Sequence, residues 1–66
     1  MSALTDAGNS ALRGVQAGLA AATVLDRFAY GYMYGQIDAI RLHMDPDRAL
    51  LAEVEAALKR MPQGEH

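Results

Sequence analysis

Met44-Asp45-Pro46-Asp47-Arg48 is the strongest punctuation in the chain. Asp45 is a residue type that caps helices, and Pro46 suits a first helical position, where its missing N–H costs nothing. Asp47 adds negative charge at the positive end of the helix dipole. Proline disfavours helical geometry in the residue before it, so a preceding helix must stop near His43 or Met44. The segment therefore predicts a turn at residues 44–46 joining two helices.

Downstream, a helix is expected over about residues 46–60. Lys59 and Arg60 sit in its last turn, as the dipole prefers. Pro62 and Gly64 lie beyond it, so residues 61–66 are expected to be a frayed tail. Leu50, Leu51, Val54, Ala57, Leu58 and Met61 form one apolar face, with Glu53, Glu55 and Lys59 outside it.

Upstream there is no proline before residue 46. Alanine, leucine and other helix formers predict one long helix over about residues 5–43. Glycines at 8, 14, 18, 31 and 35 weaken it by up to about 1 kcal/mol each, and a kink at Gly31 or Gly35 is the alternative. Two stripes follow three- and four-residue steps. One is Leu12, Val15, Leu19, Ala22, Ala29, Met33, Ile37, Ile40 and Met44. The other is Ala21, Leu25, Phe28, Tyr32, Ala39 and Leu42. A helix apolar on two faces must be covered on two sides.

Length carries this further. At 1.5 Å per residue the first helix is about 57 Å long and the second about 22 Å. A hairpin of the two leaves residues 12–28 uncovered. The expected fold is thus all-α, a long helix plus a short one in a single helical domain, completed as a homodimeric or higher bundle. The expected oligomer interface is Leu12, Val15, Gly18, Leu19, Ala22, Leu25 and Phe28. Gly14, Gly18 and Ala22 recur every four residues, a spacing that lets backbones approach closely.

Composition agrees with an association partner. The chain has 66 residues, 52% hydrophobic, with formal net charge -2 and no cysteine. So small a chain buries little of its surface, and neither disulfide nor thiolate–metal site can staple it. The apolar fraction excludes a disordered tail, and the charge lacks the basic excess of a typical nucleic-acid module. Residues 14–25 are the longest uncharged run, too short for the ~20 residues of a membrane span. The first ten residues carry no lysine or arginine, so no positively charged leader is read there. The expected setting is cytoplasmic.

All four aromatic residues lie in residues 28–34. Arg27, Tyr30, Tyr34, Asp38 and Arg41 follow helical steps and can form one polar-aromatic row. Arginine with tyrosine suits either protein contact or anion recognition, and this row is the expected partner- or ligand-binding site. Asp26 and Arg27, about 100° apart on a helix, are expected at a solvent edge or as register-setting charges between copies. His43 with Asp45 and Asp47 is a conceivable metal site, but Asp45 is better read as a cap. No nucleophile–base arrangement, phosphate loop or zinc motif can be assembled.

The expected function is a small non-enzymatic interaction protein, without cofactor or metal, that oligomerises and binds or modulates, by inhibiting or regulating, a larger protein. The alternative is an oligomer sequestering a nucleotide-like or other anionic small molecule. A membrane-associated protein is a weaker reading. So is a nucleic-acid binder, where the hairpin dimer is similar in size and helix count alone to the RNA-binding regulator Rop.

Overall fold

A computed structural model describes residues 2–64. Three helices, not two, follow one another: α1 (Ala3–Ala21), α2 (Arg27–His43) and α3 (Arg48–Arg60). Each packs on both others. The turn after α2 lies against the start of α1, and the end of α3 lies against the α1–α2 connection. The bundle therefore runs up, down and up, so α1 and α3 are parallel and α2 is antiparallel to both.

The long helix expected over residues 5–43 is broken at residues 22–26. Thr23 and Val24 are β-branched and pack poorly on a preceding helical turn. Asp26 then starts α2, its Oδ1 accepting from the Ala29 N–H at 2.7 Å. Asp26 is exposed, at the solvent edge as expected, and it has a role the spacing did not show: its carboxylate replaces a backbone partner that the first helical turn lacks. The α2 helix runs without interruption past Gly31 and Gly35.

The break is held by the C-terminal segment. Leu25 donates to the Pro62 carbonyl at 2.9 Å, and Gly64 donates back to the Leu25 carbonyl at 2.7 Å. This is a single parallel β-bridge, which satisfies backbone groups that a non-helical stretch exposes. Residues 62–64 are thus a strap rather than a frayed tail. Glu65 and His66, the rest of that expected tail, lie outside the described residues.

The second turn also differs by a residue or two. Asp47, not Asp45, caps α3, accepting from the Ala49 N–H at 2.9 Å. Asp45 instead donates its N–H to the Leu4 carbonyl at 3.4 Å, and Asp47 donates its N–H to Asn9 Oδ1 at 2.8 Å. Pro46 rests on buried Gly8, where an added Cβ would stand 3.0–3.1 Å from the proline backbone and ring. These tethers to α1 pull residues 45–46 out of helical geometry.

The core is Leu12, Val15, Leu19, Leu25, Ile37, Ile40, Val54 and Leu58. Breaking the long helix lets α2 and α3 cover both sides of α1, and this overturns the length argument. Leu12, Val15, Leu19 and Leu25, expected to await a second copy, are buried inside one chain. Gly18 faces the Met33 side chain, and Ala22 packs at the edge of the core. Of the expected interface only Phe28 stays outside, 83% exposed. The α3 face is as its spacing predicts, with Val54 and Leu58 at its centre and Leu50, Leu51, Ala57 and Met61 beside them.

Candidate interaction surface

Ile37 and Ile40 fix how α2 is turned, because both point into the core. At 100° per residue, the helix side directly opposite Ile37 carries Phe28, Tyr32, Gly35, Ala39 and Leu42. A surface helix ordinarily presents polar residues there. Here Phe28, Tyr32 and Leu42 are 83%, 60% and 71% exposed, and Gly35 and Ala39 between them are exposed too. Nothing lies within 4 Å of the Cβ position of Gly31 or Gly35. The face is apolar, open and unbroken from one end of α2 to the other.

The other two helices do not share this feature. The outer side of α3 carries Arg48, Lys59 and Arg60, all exposed. The outer side of α1 is mostly small, with Ala7, Ser10, Ala17 and Ala21, beside exposed Arg13. Between α1 and α2 a shallow groove of about 400 Å³, floored in part by Ala11, Gly14 and Val15, opens beside Ala39 and Gln36. It widens the apolar surface toward α1.

The polar-aromatic row lies on a different side of α2, facing α3, and only part of it comes together. Tyr34 and Arg41 share a groove of about 190 Å³ with Ile37, Glu55, Leu58 and Lys59. Arg41 is ion-paired there with Glu55, so its guanidinium is already satisfied by a carboxylate. Both partners are substantially solvated, and such a pair adds little stability. Tyr30 is half-buried and packs against the core. Arg27 and Asp38 are exposed at the rim. Across the bundle, Gln16 Nε2 donates to Glu53 Oε1 at 2.9 Å and links α1 to α3.

Among the described residues no three of His, Asp, Glu or Cys stand close enough to hold a metal ion. Asp47 is occupied as the α3 cap, and His43 is exposed. No helix of the described residues is long and apolar enough to cross a membrane. The two-helix hairpin behind the likeness to Rop is replaced by three helices.

No protein-family model, curated protein or solved structure matches this chain.

The outer face of α2 was legible as the second apolar stripe, which demanded cover on two sides. What the spacing could not show was which stripe the chain itself covers. Leu25 belongs to that stripe by counting, yet it falls in the connection and turns inward.

Proposed function

We propose that this chain is a small non-enzymatic helical interaction module. It oligomerises and binds or modulates a larger protein, and its association surface is the outer face of α2. One observation carries the reading: the helix side farthest from the core holds Phe28, Tyr32 and Leu42 in solvent. At about 200 Å² per aromatic side chain, the two rings alone expose roughly 290 Å². With Leu42 and Ala39 added, the patch reaches the size that marks contact sites on small proteins, about 300–600 Å². Tyrosine and phenylalanine are also enriched at the centres of interfaces.

Sequestration of a nucleotide-like anion draws less support. That reading needs Arg27 or Arg41 in a pocket between copies; Arg41 is engaged by Glu55, and Arg27 lies exposed at the rim.

A photo-crosslinking amino acid at position 28 or 42, in the cell of origin, tests the proposal. Both positions are expected to give discrete protein adducts that position 52, exposed on the outer side of α3, does not. Equal yields from all three positions, or none from 28 and 42, would contradict it.

A further inference from the structure

The outer face of α2 has a spacing that names its own occupant. Phe28, Tyr32, Gly35, Ala39 and Leu42 are separated by four, three, four and three residues. That is the strict alternation of a coiled-coil seam, on a side of the helix where nothing in the chain needs it. Resting on the reading of this face as an association surface, we propose that its occupant is a second copy of the same chain, with the two α2 helices antiparallel.

Side-chain size fixes the orientation. A two-fold axis beside α2, midway between residues 33 and 34, brings Phe28 level with the partner's Ala39. It brings Tyr32 level with the partner's Gly35. Each ring then lies beside a small residue, four times over in the symmetric pair. At each level the two residues come from opposite sides of the seam, so they fill the layer side by side. A parallel in-register pair would instead set ring against ring and glycine against glycine, crowding some levels and emptying another. The antiparallel pair also opposes the two helix dipoles. A closed two-fold contact needs a patch complementary to itself; the stretch from Phe28 to Ala39 meets that condition, and Leu42 lies just beyond it, past the start of the partner's α2.

The surroundings favour protein over lipid. Helices that lie on membranes carry a polar side rich in lysine and arginine. Here the flanks of α2 hold Asp26 and Asp38 as well as Arg27 and Arg41, and the net charge is -2. The area is modest beside a specific interface of about 1,200 Å² or more, so the dimer dissociates on dilution.

Gly35 makes the test clean, because it is exposed and a Cβ added there meets nothing within 4 Å in its own chain. Gly35→Leu is expected to leave the fold intact, seen by circular dichroism, while the dimer dissociation constant from sedimentation equilibrium rises about 100-fold. Mixing the single variants Phe28→Cys and Ala39→Cys under oxidation should give a disulfide between unlike chains. Neither variant alone should cross-link. A wild-type chain that stays monomeric up to millimolar concentration overturns the proposal, as does unchanged dimerisation in Gly35→Leu or a self-disulfide of Ala39→Cys alone. So does retention of monomeric chain on phosphatidylserine–phosphatidylcholine vesicles with loss of that binding in Gly35→Leu, which points to a lipid surface. A monomeric chain whose positions 28 and 42 still capture a different protein in the cell removes the second copy and keeps the association surface.

Discussion

Glycine shows how little a residue type says until its neighbours are known. Gly8 and Gly14 both lie in α1, and from the sequence both only weaken a helix. In the structure Gly8 touches Pro46, while the Cβ position of Gly14 meets nothing within 4 Å. The same kind of change should therefore have opposite signs. Gly14→Ala is expected to stabilise the fold by about 0.5–1 kcal/mol, the helix-propensity difference. Gly8→Val is expected to destabilise it by about 1–3 kcal/mol, because the ring of Pro46 is rigid and the turn it belongs to is tethered to Leu4 and Asn9. Urea unfolding of the two variants beside the parent checks both signs. The buried residues were legible from periodicity, since Leu12, Val15, Leu19, Ile37, Ile40, Val54 and Leu58 fall on the expected stripes and in the core. The role of Gly8 was not, because its contact spans 38 positions of sequence.

At the scale of elements, the turn near Pro46 and the third helix were readable because proline and its flanking aspartates act locally. The break at residues 22–26 was marked more faintly. Thr23, Val24 and a capping aspartate were all present, but alanine on the upstream side argued for continuation, and no glycine or proline stood at the boundary. The strap that holds the break open is a pairing of backbone groups, and backbone pairing leaves no side-chain signature. Asp26 is where the element boundary can be tested. Asp26→Ala removes the acceptor for the Ala29 N–H and should cost about 1 kcal/mol. In a chain of this length that lowers the thermal midpoint by about 4–8 °C. Asp26→Asn keeps an oxygen in the same place and should lose much less. Equal losses in both variants would mean that the charge, not the cap, does the stabilising.

For the whole molecule, an excess of apolar residues over the length available to bury them implied a second copy. The structure divides that excess in two. The first part, on α1, is absorbed within the chain because the break lets three helices surround Leu12, Val15 and Leu19. The second part remains on the outer face of α2. Partition depends on where one helix ends, so a sequence pattern that counts stripes without placing that break assigns the exposed surface to the wrong stretch. The polar-aromatic row met the same difficulty. Its helical spacing was sound, but whether Arg41 was free depended on Glu55 in a different element.

One chain completes its own core and leaves the outer face of α2 for a partner. Amide NMR spectra recorded while the protein is diluted test it most directly. Resonances of residues 28, 32, 35, 39 and 42 should move with dilution, while those of residues 12, 15 and 19 stay dispersed and fixed. Collapse of the resonances of residues 12–19 toward random-coil positions on dilution would instead show that the core is shared between chains.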